Sequence, residues 1–113
     1  MSTSAKEFYD NHTAAMRPAR EAMGETLKGF GGLHHASMAD GAISKKDKEL
    51  IALAIGLAVR CESCIYAHVQ AALKAGATRE EIVEAAGVAV MMSGGPGYTY
   101  VPRVFEALDA LDA

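Results

Sequence analysis

The sequence predicts an all-α domain of about five to six helices. No stretch of six or more residues alternates between apolar and polar side chains, as a half-buried strand would. Alanine, the best helix former, is abundant along the chain. Residues that start and end helices also recur at helix-length intervals. With 113 residues the chain has the length of one domain, which we expect to span residues 1–113.

In the first third of the chain, the sequence predicts helical structure that is interrupted once. Ala5 to Leu27 has the pattern of one or two amphipathic helices. Pro18 marks the expected break, because proline lacks a backbone N–H and clashes with the preceding turn. Gly29, Gly31 and Gly32 then lead into a short element, which is expected over about 33–38.

Two helices with clear starts and stops are expected next. Ser44, with Asp47 three residues later, resembles a capping box and predicts a helix over about 45–59. A second helix is expected to begin near Cys61 and to end at about residue 75, because Gly76 supplies a C-terminal stop.

The remaining residues predict two more helices. Thr78 and Glu81 form a second capping-box pair, and the helix that they begin is expected to reach Met92. The glycine- and proline-rich stretch 93–97 ends it. A last helix is expected over about 99–111, since Pro102 is tolerated in a first turn.

Two of these helices are apolar on nearly every side, over residues 50–59 and 82–92. Helices of this kind are normally buried all round. A domain of this size encloses about one such helix, so we expect the second to pack against another chain. The sequence therefore predicts a homo-oligomer built on a two-fold or three-fold axis.

Composition excludes several classes of partner. The chain has 11 Lys and Arg residues against 14 Asp and Glu residues, so it lacks the basic surface that nucleic-acid binding needs. It also lacks the run of about 20 apolar residues that spans a membrane. The segment from Met1 to Phe8 has no apolar stretch behind a basic one, unlike a secretory leader. We therefore expect a cytoplasmic protein with no nucleic-acid or membrane partner.

Cys61, Cys64 and His68 have the spacing that places three side chains on one face of a helix. A thiol with the reference pKa near 8.5 is only about 3% ionised at pH 7. The positive end of a helix contributes about 0.3–1 kcal/mol to a thiolate, which is too little to ionise it alone. His68, as a base or an ion-pair partner, is the group expected to supply the remaining stabilisation of the thiolate.

The residues alone leave several interpretations of this pair open. The two cysteines could simply pack, because free cysteine is often buried. A zinc ion could take Cys61, Cys64 and His68 with Glu49, although the chain lacks the second ligand pair of most structural sites. Ile65 after the second cysteine disfavours covalent haem, and the missing βαβ pattern disfavours a thioredoxin fold. A dithiol that cycles to a disulfide is the interpretation we favour, because cytosolic cysteine pairs are commonly catalytic.

Eleven residues separate Glu49 from Cys61, which completes the motif Glu-x11-Cys-x2-Cys-x3-His. This motif resembles the signature of the carboxymuconolactone decarboxylase superfamily, in its AhpD-like alkylhydroperoxidase branch. The resemblance covers about residues 45–110, including the Gly76-Ala77-Thr78 junction between two helices. It implies an all-α fold, assembly as trimers or hexamers, and thiol-dependent reduction of alkyl or hydrogen peroxides.

The resemblance also implies a role for each motif residue. Cys64 would attack the peroxide and become a sulfenic acid, and Cys61 would condense with it to a disulfide. His68 and Glu49 would form a proton relay. An external dithiol or thiol reductant protein would then regenerate the thiols, with no cofactor or metal. Some members carry a histidine where this chain has Ser63, which implies a shorter relay here.

Two other functions are carried as alternatives. One is a non-redox small-molecule enzyme on the same fold, similar to a decarboxylase. The other is a non-catalytic oligomer that binds a metal. Outside the motif, the adjacent His34 and His35 diverge by about 100° on a helix, which is poor geometry for sharing a metal. We expect them to lie at the surface or beside a substrate channel.

Overall fold

The computed structural model describes residues 3–113, so that Met1 and Ser2 of the N-terminal segment lie outside the described residues. The described residues form helices and no strand. Six helices have ten or more residues, which confirms the prediction of an all-α fold with five to six helices, and two short helices accompany them. The helices are α1 (Ala5–Ala15), α2 (Arg17–Ala22), α3 (Gly24–Met38), α4 (Lys45–Ala58), α5 (Glu62–Lys74), α6 (Arg79–Ser93), α7 (Gly95–Tyr98) and α8 (Val101–Ala110).

The starts of α4 and α6 are capped as the sequence predicts. Ser44 Oγ accepts a hydrogen bond from the Asp47 backbone N–H at 3.1 Å. Thr78 Oγ1 accepts from the Glu81 N–H at 3.1 Å, and Glu81 Oε1 accepts from the Thr78 N–H at 2.9 Å. Glu81 also pairs with Lys46 of α4 at 2.8 Å, and this bond lowers the pKa of Glu81. The second capping box therefore also ties α6 to α4.

The expected break in the first third of the chain lies elsewhere. The helices change at Met16 and again at Met23, and Pro18 lies in the first turn of α2, where the missing N–H costs nothing. The short element expected over about 33–38 is wrong in its length, because α3 begins at Gly24 and runs through all three glycines without interruption. Glycine lowers helix propensity by about 1 kcal/mol without forbidding the helix. None of these glycines has a positive φ that would end it.

The core lies where α4, α5, α6 and α8 meet, and α1 packs against α5 and α8. Each of these helices turns one apolar face inward. The largest fully buried apolar side chains are Leu53, Leu57, Ile65, Tyr66, Val69, Ile82, Val104 and Leu108.

Tyr66 joins three parts of the chain at the edge of this core. Its hydroxyl donates to the Thr3 carbonyl oxygen at 3.2 Å and lies 3.3 Å from a carboxylate oxygen of Glu106. Its own carbonyl oxygen accepts from the Tyr9 hydroxyl at 2.7 Å. Burial, together with the charges of Glu62 and Glu106, raises the pKa of Tyr66 to about 12. The phenol therefore stays protonated and keeps donating at physiological pH.

We expected one of the two apolar helices to be buried on all sides within this chain. The structure shows that this is wrong for both α4 and α6. Each helix buries one face in the core and leaves the other exposed, because the remaining helices cover only one side. The exposed apolar side chains of these two helices are Ile51, Ile55, Val59, Val83, Val88, Met91 and Met92. Helix α3 buries no residue at all. Within residues 3–113, no helix is both long enough and apolar enough to cross a bilayer.

Gly56 sets the distance between α4 and α5. A Cβ atom added at Gly56 would lie 3.1 Å from the Cβ of Cys64, closer than most carbon pairs in proteins. The backbone of α4 can therefore approach the first turn of α5 only because residue 56 has no side chain.

We expect Gly56→Val to lower the free energy of unfolding by about 1–3 kcal/mol, because the new methyl groups push α4 away from Cys64. The matched control is Gly87→Val in α6, where an added Cβ meets nothing within 4 Å. Denaturant unfolding of both variants in the oxidised state measures the difference. Equal losses of stability would show that the approach of the two helices is not tight.

Candidate functional site

The first turn of α5 is built around Cys61. Arg60, with a φ of 57°, turns the chain sharply out of the end of α4. Cys61 then occupies the N-cap position, and its backbone N–H donates to the Gly56 carbonyl oxygen at 2.9 Å. The Cys61 sulfur accepts from the Cys64 backbone N–H at 3.3 Å, in the place that a serine or aspartate oxygen usually takes. The sulfur thus lies at the positive end of a helix.

Cys61 and Cys64 are joined in a disulfide, with their Cα atoms 5.2 Å apart. That separation is within the usual range for such a bond. Both residues are half-buried, so the sulfurs lie at the edge of the core. Ser63, between them, is exposed, and its hydroxyl lies 3.8 Å from the Cys61 sulfur. The structure therefore describes the pair in its oxidised form, within one turn of helix.

Glu49 and His68 form the second pair of the site. Glu49 of α4 is only 2% exposed, and its Oε1 lies 2.7 Å from Nδ1 of His68 on α5, which is 21% exposed. An ionised carboxylate only accepts hydrogen bonds, so Nδ1 is the donor. That bond compensates the cost of burying the carboxylate and leaves the other ring nitrogen, Nε2, outside the pair.

The contact between α4 and α5 places these two pairs next to each other. Cys64 and His68 are four residues apart on α5 and share one face of that helix. On α4, Glu49 contacts His68, and Gly56, about two turns later, lies against Cys64. All four residues of the predicted motif therefore lie along one antiparallel helix contact.

A cavity of about 380 Å³ lies between α3, α4 and α5, on the side of Glu49 that faces α3. His34 of α3 lines it, and its ring lies nearly parallel to the ring of His68, with 6.4 Å between centroids and 16° between planes. This proximity was missed in the sequence, because nothing in the sequence relates residue 34 to residue 68. The close approach at Gly56 had one signal, a lone glycine within an apolar helix.

A second cavity, of about 510 Å³, lies between α1 and the start of α5. Phe8 and Tyr66 line its apolar part, and Ser63 and Glu62 line the side nearest the cysteines. Glu62 Oε1 accepts a hydrogen bond from the Thr3 N–H at 2.9 Å, and its Oε2 pairs with Arg103 at 3.0 Å. Among the residues that the structure describes, no group of three or more His, Cys, Asp or Glu side chains is arranged to hold a metal ion.

The sequence pattern that defines the carboxymuconolactone decarboxylase family matches residues 24–112. The chain belongs to this family. Among solved structures, a carboxymuconolactone decarboxylase family protein from Legionella pneumophila is 41% identical and superposes with a TM-score of 0.83, over 96% of this chain and 94% of that one. The family resemblance inferred from the motif is therefore confirmed, and it extends to the fold.

Two further relatives agree with this assignment. A Thermotoga maritima member, described as having a possible part in an antioxidative response, is 31% identical with a TM-score of 0.72, over 77% of this chain and 90% of that one. An uncharacterized protein of the cox locus of Paracoccus denitrificans is 37% identical over 105 residues, which cover 87% of this chain and 95% of the relative. Family membership therefore extends well beyond the Cys-x-x-Cys segment.

We expect His68→Ala to lower the free energy of unfolding by about 1–3 kcal/mol at pH 7, because it leaves the Glu49 carboxylate buried without its partner. Adding Glu49→Leu to that variant should recover part of the loss, since no charge then remains buried. Denaturant unfolding measures both effects.

The control for this pair of variants is His35→Ala, which removes an exposed histidine. It should change stability by less than about 0.5 kcal/mol. A loss as large as that of His68→Ala, or a double variant less stable than His68→Ala, would contradict the account of the buried pair.

Proposed function

We propose that this protein reduces alkyl or hydrogen peroxides with its cysteine pair, which cycles between dithiol and disulfide. The observation that carries the proposal is the position of the disulfide, in the first turn of α5 and one turn before a histidine held by a buried carboxylate. Family membership supports it, as does the antioxidative description of the Thermotoga maritima relative.

In the oxidising half of the cycle, the Cys64 thiolate attacks one peroxide oxygen. A sulfur–oxygen bond forms, the oxygen–oxygen bond breaks, and the departing alkoxide takes a proton from His68. The Cys61 sulfur then attacks the Cys64 sulfenic acid, so that a disulfide forms and water leaves. Glu49 holds His68 in the orientation that this proton transfer needs.

In the reducing half, an external dithiol or thiol reductant protein attacks the disulfide by exchange. It supplies two electrons and two protons and becomes a disulfide itself. The Cys61 and Cys64 side chains are half-buried, so a reductant can reach the bond from the surface. Such reductants belong to reducing compartments, which accords with the expected cytoplasmic location.

The test is a titration of the reduced protein with tert-butyl hydroperoxide. One equivalent should remove both thiols of the wild-type protein within one turnover. In Cys61→Ser we expect oxidation to stop at a sulfenic acid on Cys64, which dimedone traps and mass spectrometry locates. In Cys64→Ser the remaining thiol should react slowly, as an ordinary thiol does.

The matched control is Ser63→Ala, which alters the residue between the cysteines and should leave the thiol titration unchanged. Two thiols that persist in the wild-type protein under excess peroxide would overturn the proposal. A sulfenic acid that forms on Cys61 and not on Cys64 would reverse the two roles.

We also propose that the protein is a homo-oligomer, a trimer or hexamer, assembled through the exposed apolar faces of α4 and α6. Ile51, Ile55 and Val59 recur every four residues and form one stripe on α4. Met91 and Met92, which are 70% and 75% exposed, continue the apolar surface on α6. Exposed apolar surface of this extent commonly marks a protein interface.

Light scattering after gel filtration tests this assembly. The wild-type protein should have the mass of three or six chains, and Ile55→Glu should reduce it to smaller species, because a charge then lies in the apolar stripe. Thr99→Glu, which adds the same charge at an exposed site outside both faces, is the control. A wild-type protein with the mass of one chain would contradict the proposal.

A further inference from the structure

His34 of α3 lies beside His68. Helix α3 buries none of its residues, yet the His34 ring is nearly parallel to the His68 ring and 6.4 Å away between centroids. His34 also lines the cavity that Glu49 lines. It therefore lies near both members of the buried pair.

The connection between α3 and α4 holds His34 in this place. Lys48 of α4 donates from Nζ to the Ala39 carbonyl oxygen, directly after α3, at 2.6 Å. Asp40 accepts from the Lys45 backbone N–H, at the first residue of α4, at 2.7 Å. Two bonds thus fix the end of α3 against the start of α4, one turn beyond His34.

We propose that His34 is a positioning residue that relays protons between solvent and the His68–Glu49 pair. With 6.4 Å between their centroids the two rings are too far apart for a direct hydrogen bond, so the relay includes water between them. His34 is exposed to solvent, whereas His68 is mostly covered, so protons reach His68 more readily through the outer imidazole. Histidine is the side chain best suited to this task near neutral pH.

The relay rests on the proposed function, and the thiol cycle uses it twice. When the regenerated Cys64 thiol ionises, its proton passes to His68 and on to solvent. When the thiolate reduces a peroxide, the alkoxide formed needs a proton, which enters by the same route. Each turnover thus moves one proton out and one in, and the sum over the cycle is zero.

Several charged groups share the cavity and set its electrostatic surroundings. Those that face His34 are His35 on its own helix, Lys45 and Glu49 on α4, and His68 and Lys74 on α5.

The experiment compares His34→Gln with His12→Gln, which alters an exposed histidine of α1, in peroxide turnover at neutral pH. In dilute buffer we expect His34→Gln to be about tenfold slower than wild type, less than the 10²–10⁴-fold of a group that acts directly on substrate. Added imidazole should restore most of the rate, because a free imidazole can carry the proton instead. His12→Gln should behave as wild type at both imidazole concentrations.

A slow His34→Gln that imidazole does not rescue would indicate a merely structural role and overturn the inference. The same holds if His34→Gln and His12→Gln both turn over at the wild-type rate in dilute buffer. Both results would leave the proposed function intact.

A second measurement does not depend on peroxide activity. In the reduced protein, the ring N–H proton of His68, observed by NMR, should exchange with solvent more slowly in His34→Gln than in wild type, because the outer imidazole no longer passes protons. His12→Gln should leave that exchange rate within experimental error of wild type. An unchanged exchange rate in His34→Gln would overturn the inference, whereas a wild-type protein inactive towards peroxide would overturn the proposed function.

Discussion

A carboxylate taken out of water needs a partner, and in this protein that requirement organises the site. Glu49 is almost wholly buried, and its bond to His68 is the polar contact that makes its burial tolerable. The pair joins α4 to α5, and the same helix contact then brings Gly56 against Cys64. The cysteines lie where they do because the two helices meet in this register. A change at Glu49 therefore acts on the proposed proton relay and on the packing together.

Local signals in the sequence predicted much of this arrangement. Ser44 and Thr78 begin their helices as expected, because capping depends on residues three positions apart. The spacing of Cys61, Cys64 and His68 predicted that their side chains share one helix face, because side chains three or four residues apart lie above one another on a helix. The assignment to the family followed from the same residues together with Glu49, and the comparisons confirm it over most of the chain.

What the sequence did not predict depends on contacts between distant segments. Helix α3 continues through three glycines, because the helix propensity of glycine, about 1 kcal/mol less favourable than that of alanine, is a weak local preference. The meeting of His34 with His68 has no local signature at all. That both α4 and α6 have exposed faces was not predicted either. The apolar composition of a helix predicts that its faces are buried, but it does not show whether the same chain or another chain buries them.

The disulfide spans a sequence separation of only three residues, and this has a thermodynamic consequence. In the chain-entropy treatment, a crosslink that closes about four residues stabilises the fold by about 2 kcal/mol, against roughly 3 kcal/mol for a fifteen-residue loop. The large buried core, by contrast, spans α4 to α8 and consists of residues other than the two cysteines. Reduction therefore removes only the smaller contribution, and a sulfur pair placed in this way can open and close, as the proposed cycle requires, while the core stays folded.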